Sequence, residues 1–371
     1  IIMPYKTLHI CLMQSATYKR HFYIGKNLGI QNQKICFMFF IALFFSCRVA
    51  AQDLHFSQYF NSPLLVNPAN TGFAPDVDWR IGANYRNQWA SVINNPYKTM
   101  SIWGDGQLFN ERIDNGWAGI GGAILRDVAG TGGLTSTRGF ASIAYHQLLG
   151  QKSLLSGGFN IGFINKRVDL TKFTFDQQWN GKFFDISTPS GERFAYSSVT
   201  YFDIQAGLNY ALFATDKAYF NAGFSAAHIN RPRESFFSTS VADTRLNVRY
   251  TAFLNASFKL NEQWIINPNV YVSKMGTAWE TVGGLNTHYN LSGDGSKELI
   301  AGAYVRLKDA IIPMVGFELN ELQITFNYDA TSSALNKFNQ SRGAYEISIV
   351  KKGLYNPAGK AVKCPTVSFL K

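Results

Sequence analysis

Residues Tyr201–Leu212 read Y-F-D-I-Q-A-G-L-N-Y-A-L. One parity holds Phe202, Ile204, Ala206, Leu208, Tyr210 and Leu212; the other holds Tyr201, Asp203, Gln205, Gly207, Asn209 and Ala211. Side chains of a β-strand point alternately to opposite faces, so this segment has one oily face and one wet face. The same alternation returns along the chain. Leu155, Gly157, Phe159, Ile161 and Phe163 oppose Ser156, Gly158, Asn160 and Gly162, and Leu322, Ile324, Phe326 and Tyr328 oppose Gln323, Thr325, Asn327 and Asp329.

Composition says what the oily face meets. The 371 residues are 46% hydrophobic and only 16% charged, with 15% aromatics and 32 glycines. Soluble domains carry roughly 25% charge. Low charge, abundant aromatics and glycines, and short alternating segments point to a transmembrane antiparallel β-barrel of the outer-membrane type, with lipid outside. A large soluble β protein is the competing class. Beyond the first 51 residues no run approaches the ~18 apolar residues of a membrane helix, which excludes a helical inner-membrane protein.

Residues 1–51 carry Lys6, Lys19, Arg20, Lys26, Lys34 and Arg48 and no acid. Setting those six aside turns the formal +11 into 29 basic against 24 acidic residues, a net of +5. That balance gives no reason to expect a nucleic-acid partner. Within this leader, Ile35–Phe45 (I-C-F-M-F-F-I-A-L-F-F) is an apolar run too short to span a bilayer, followed by the small residues of Val49-Ala50-Ala51. This is the pattern of a secretory signal peptide cut before Gln52. The stretch ahead of about residue 30 exceeds what a signal needs and reads as an over-extended start. Phe44-Phe45-Ser46 is a poor lipobox for Cys47. Cleavage leaves only Cys364, so no intramolecular disulfide is expected.

About fourteen segments of roughly ten residues qualify as tilted membrane strands. They run approximately 77–90, 97–108, 116–128, 134–148, 153–168, 199–212, 217–229, 247–260, 262–273, 279–291, 297–307, 310–319, 321–331 and 343–351. Residues 77–351 thus form the barrel, 52–76 an irregular segment and 352–371 a tail. The longest connections, about 169–198 and 230–246, follow odd-numbered strands, whereas short turns follow even ones. Bacterial barrels keep long loops outside and short turns in the periplasm, which predicts periplasmic termini.

Pro63, Pro68 and Gly72 break any regular element in 53–72, yet the stretch carries Phe56, Tyr59, Phe60, Leu64, Leu65 and Val66. A polar linker would not, so it should pack on the periplasmic side or tuck into the barrel mouth. Phe56, Tyr59, Phe60, Asn67 and Pro68 are candidate partner-binding residues. The first long loop holds Phe173, Phe175, Trp179, Phe183, Phe184 and Phe194, and the second holds Phe236 and Phe237. Loops this aromatic bind a partner, fold into the lumen, or pack on themselves. Arg249, Lys259, Asp203 and Glu321 are expected to face the lumen, pairing there or lining a pore. Trp89, Trp103, Trp117, Trp264 and Trp279 suit interfacial girdles.

Chemistry is hard to find. His55, His146, His228 and His288 are scattered without metal-ligand spacing, so no metal and no cofactor is expected. No Gly-x-Ser-x-Gly elbow is present. A lipid hydrolase would need a hydroxyl beside a histidine at the barrel edge; His146, on a strand with Ser142 and Tyr145, is the one candidate, with no recognisable third partner.

Three spaced blocks open the mature chain: Gln52–Phe60 (Q-D-L-H-F-S-Q-Y-F), Pro63–Gly72 (P-L-L-V-N-P-A-N-T-G) and Asn84–Trp89 (N-Y-R-N-Q-W). Tyr328–Leu335 and Gly343–Ile349 close it. In these motifs, across about residues 52–367, the chain resembles the PorP/SprF family. The tail departs from the family pattern, because Cys364-Pro365 is followed by Thr-Val-Ser-Phe369 rather than closely by an aromatic. The resemblance implies a non-enzymatic outer-membrane component of the type IX secretion system of Bacteroidetes, often linked to gliding motility. Its expected partners are secretion machinery proteins, secreted cell-surface cargo or adhesins, and outer-membrane lipid. The alternative is a passive channel or porin.

Overall fold

The computed structural model describes residues 56–74, 77–109, 113, 115–130, 132–192, 196–237 and 244–355. The leader, His55, Phe194 and Cys364 lie outside the described residues. Fourteen strands, β1 (Trp79–Gln88), β2 (Tyr97–Leu108), β3 (Gly116–Ala129), β4 (Leu134–Leu148), β5 (Ser153–Arg167), β6 (Ser198–Thr215), β7 (Ala218–Ala227), β8 (Arg249–Lys259), β9 (Trp264–Met275), β10 (Ala278–Asn290), β11 (Lys297–Arg306), β12 (Ala310–Leu319), β13 (Leu322–Thr331) and β14 (Arg342–Gly353), form one closed antiparallel barrel. Each strand pairs with its chain neighbours, and β1 closes on β14 from Trp79↔Gly353 to Gln88↔Ala344. Closure leaves no strand edge whose N–H and C=O groups lipid would have to satisfy.

The burial pattern is that of a protein turned inside out. In β6 the oily parity is outside, with Leu208 61% exposed, while Gln205 and Asn209 are buried. In β5, Leu155, Phe159, Ile161 and Phe163 face outward and Ser156 and Asn160 are buried. Strand alternation therefore sorts residues between surrounding hydrocarbon and a polar interior.

Connections of very different length leave the two ends. Residues 168–197 and 228–248 emerge at one end, here called the loop end. The other, the turn end, carries tight hairpins such as 320–321, where Asn320 and Glu321 both take positive φ (47° and 66°). Two consecutive positive-φ residues make the mirror-image turn whose twist matches that of paired strands. Glu321 accordingly sits exposed in this turn and does not face the lumen as expected.

A closed lumen plug and its locking cluster

The interior is filled by the chain's own amino-terminal segment. Residues 56–73 enter the lumen as three short helical turns, Tyr59–Asn61, Pro63–Val66 and Pro68–Asn70. The prolines start the second and third turns, where a missing N–H costs nothing. The Asn67 side chain caps the third by accepting from the Ala69 N–H at 2.9 Å.

The short turns satisfy only part of the plug's own main chain, such as Asn61 N–H to the Gln58 carbonyl and Asn67 N–H to that of Pro63, and the wall satisfies much of the rest. Asn160 Nδ2 donates to the Leu64 carbonyl at 3.1 Å, and Ser225 Oγ to that of Val66 at 2.7 Å. Trp103 Nε1 donates to the Asn61 carbonyl (3.0 Å) and Trp117 Nε1 to that of Gly72 (2.9 Å). Asn67 Nδ2 reaches the main-chain oxygens of Leu208 and Phe224 at 2.8 and 3.3 Å. Apolar side chains fill the gaps: Tyr59 stacks on Tyr271 at 5.0 Å and Phe60 on Tyr304 at 5.4 Å.

The plug backbone lies so close to the wall that several inward positions must be glycine. A Cβ at Gly158 would meet the Pro68 carbonyl carbon at 2.6 Å, and one at Gly223 would meet the Phe253 ring of the wall at 2.4 Å before the Asn67 side chain at 2.8 Å. Cβ atoms at Gly119 and Gly207 would collide with Thr71 and Asn67.

Toward the loop end the plug is locked by a buried charge cluster. The N–H groups of Ser57 and Gln58 donate to the two oxygens of Glu346, each at 2.9 Å. Arg86 bridges Asp329 (2.9 Å) and Glu346 (3.3 Å), and Arg306 reaches the same Asp329 oxygen at 3.1 Å. Ser57 Oγ donates to Asp329 and accepts from Arg86 and Arg306. A buried carboxylate survives only with such partners. Ser57 and Gln58 come from the first motif, Arg86 from N-Y-R-N-Q-W, Asp329 and Glu346 from the two closing motifs. Stretches far apart in the chain thus meet at one point.

Of the residues read as partner-binding, Phe56, Tyr59, Asn67 and Pro68 are buried against the lumen wall and Phe60 is half-buried. At the loop end Phe173 and Phe175 are half-buried and 6.1 Å apart, and Phe236 is half-buried. Trp179, Phe183, Phe184 and Phe237 are exposed, Phe183 at 60%, with neighbouring Ile186 at 80%. Trp179 and Phe184 hold each other at 5.0 Å across a short bridge. The two long connections are joined where Tyr196 N–H donates to the Phe236 carbonyl at 3.1 Å. Asp185, in the first of them, is kept below the usual carboxylate range by the Ser187 hydroxyl and N–H.

Other expectations need correction. Trp103 and Trp117 point inward as plug donors, while Trp264 and Trp279 do face outward. His146 is not at the barrel edge: it is buried in the lumen, with Nδ1 2.7 Å from Ser156 Oγ and Nε2 2.8 Å from the Thr71 carbonyl, while Tyr145 faces out. Asp203 Oδ1 lies 2.7 Å from His228 Nδ1 and Lys259 pairs with Glu262 at 2.8 Å, so both side chains are engaged by near neighbours. His288, by contrast, does have acidic company: Glu298 and Glu318 lie beside it. Periodicity conceals this trio, because its members sit on three different strands.

Residues 48–350 match the family described as type IX secretion system membrane protein PorP/SprF. No curated protein sequence matches the chain. Among solved structures, it is similar to the P. putida toluene transporter TodX (12% identity, 80% of this chain and 95% of that one, TM-score 0.46). It is also similar to the Ralstonia pickettii toluene transporter TbuX (11%, 79% and 94%, 0.44) and to the KdgM porin (9%, 74% and 98%, 0.35).

Proposed function

The chain belongs to the PorP/SprF family of type IX secretion system membrane proteins, and we propose that within this outer-membrane, secretion-associated role it is a non-enzymatic platform. Cargo is held at the loop end, and machinery proteins dock at the turn end. One observation carries this reading: residues 56–73 fill the lumen and are bonded to the wall around it. A barrel filled by its own chain is a support for proteins rather than a route for them.

Cargo contact is assigned to the exposed aromatics Trp179, Phe183, Phe184 and Phe237, backed by half-buried Phe173, Phe175 and Phe236. Solvent-exposed aromatic groups on a rigid base are the surfaces that partners desolvate. Phe56, Tyr59, Phe60, Asn67 and Pro68 would reach a partner only with the plug withdrawn, so their first role here is to close the lumen. Machinery contact falls to the turns and to the tail 352–371, most of which lies outside the described residues.

The test is co-purification in mild detergent. Combined alanine substitution of Trp179, Phe183 and Phe184 should remove surface cargo and leave periplasmic partners attached. Deleting Asp53–Gly72 should open the lumen; if periplasmic co-purification is then unchanged in an assembled barrel, the plug takes no part in docking. The alternative, a passive channel, predicts conductance through the intact wild-type protein.

A further inference from the structure

At the turn end, three inward residues on consecutive strands come together: His288 near the end of β10, Glu298 at the start of β11 and Glu318 at the end of β12. Their donor atoms all lie within 4.8 Å of one another, with His288 Nδ1 2.8 Å from Glu298 Oε2. Glu298 and Glu318 are paired directly across the β11–β12 ladder, and each is at least nine-tenths buried. Like charges directly opposite on a sheet destabilise it, and burial sharpens the repulsion. One compensating cation is near: Lys352 Nζ sits 2.7 Å from Glu318 Oε1, with its side chain 24% exposed. The imidazole of His288 is 21% exposed, which leaves the trio open to ions from the turn end.

We propose that His288, Glu298 and Glu318 bind a divalent transition-metal ion, Zn²⁺ or Mn²⁺ by chemical class. One imidazole and two carboxylates give three donors, and small side-chain rotations bring them to the ~2.0–2.2 Å that zinc requires. The imidazole favours these ions over Ca²⁺ and Mg²⁺, which prefer oxygen alone. The ion cancels both carboxylates and staples β10, β11 and β12 at the rim where periplasmic partners arrive. Lys352 then competes with the metal for Glu318.

The experiment uses the full chain in detergent, without a histidine tag, after chelator treatment and dialysis. Metal stoichiometry and calorimetric titration are run with ZnCl₂, MnCl₂, CaCl₂ and MgCl₂. One Zn²⁺ or Mn²⁺ per chain is expected, with little response to Ca²⁺ or Mg²⁺. His288→Ala and Glu298→Gln should each weaken binding at least about tenfold, the loss seen even for outer-shell partners. Lys352→Met should tighten it about fivefold, because a competing unit charge is removed. Heat-dependent gel mobility verifies that each variant is a folded barrel. A wild-type chain that takes up no stoichiometric metal, or uptake indifferent to all three substitutions, overturns the assignment.

Discussion

Gly158 lies against the main chain of Pro68, so that a Cβ at position 158 would stand 2.6 Å from the Pro68 carbonyl carbon. The side facing Pro68 is the lumen, and the strand's partners on β4 and β6 lie in the sheet plane. Gly158→Val should therefore leave the barrel paired and expel the plug. Planar-bilayer conductance should rise well above that of the wild type, and residues 56–73 should become sensitive to protease. An equally silent membrane would mean that the wall yields instead.

Glu346 accepts two plug N–H groups and pairs with Arg86. Glu346→Ala leaves the two buried N–H donors of Ser57 and Gln58 without an acceptor and takes one of two carboxylates from Arg86, which keeps Asp329. Each buried donor left unsatisfied costs about 1–3 kcal/mol. Urea unfolding in detergent or lipid should register a loss of that order, whereas Glu321→Ala, at an exposed turn, should stay within about 0.5 kcal/mol.

The outer face has the opposite sensitivity. Leu208 is 61% exposed near the middle of β6. Leu208→Arg should destabilise the inserted barrel by about 2–4 kcal/mol, the cost of a cation near the bilayer midplane. The measurement is unfolding from liposomes; a value near zero would mean that this face is not in lipid.

In contrast, alanine at Trp179, Phe183 and Phe184 removes exposed rings, of which Trp179 and Phe184 pack on each other. Each change should shift stability by less than about 0.5 kcal/mol, while surface retention of cargo falls. Loss of both together would make the loop a folding element rather than a docking one.

Asp294, in the turn 291–296, accepts from the Ser292 hydroxyl and the Ser296 N–H, and these bonds lower its pKa to about 2. Its folded pKa is depressed, so its support for the turn is present above the ordinary carboxylate range and lost as pH falls through about 2. NMR titration of the turn should show one transition there, and Asp294→Asn should abolish it.

Much of this architecture was legible in the sequence because a barrel strand announces itself locally. The alternation in Tyr201–Leu212 gave both the strand and the face that meets lipid, and the loop-length asymmetry gave the two ends. What could not be read was the use of the wet face. Asn160, Ser225 and Trp103 look like residues that meet water or the membrane rim. They meet the plug instead, each donating to one of its carbonyls. Gly158 reads as one more small residue of the wet face, because the close approach that requires it comes from Pro68, ninety residues earlier in the chain. The charge cluster was hidden for the same reason, since Arg86, Asp329 and Glu346 are inward polar positions like any other until the ring closes.

Arg86 and Glu346 face each other across the junction of first and last strands. Ser57 and Gln58 clip onto that pair from within. One rung of the seam that completes the cylinder is thus made by residues that also hold its stopper, so a change that loosens the seam at that rung slackens the stopper with it.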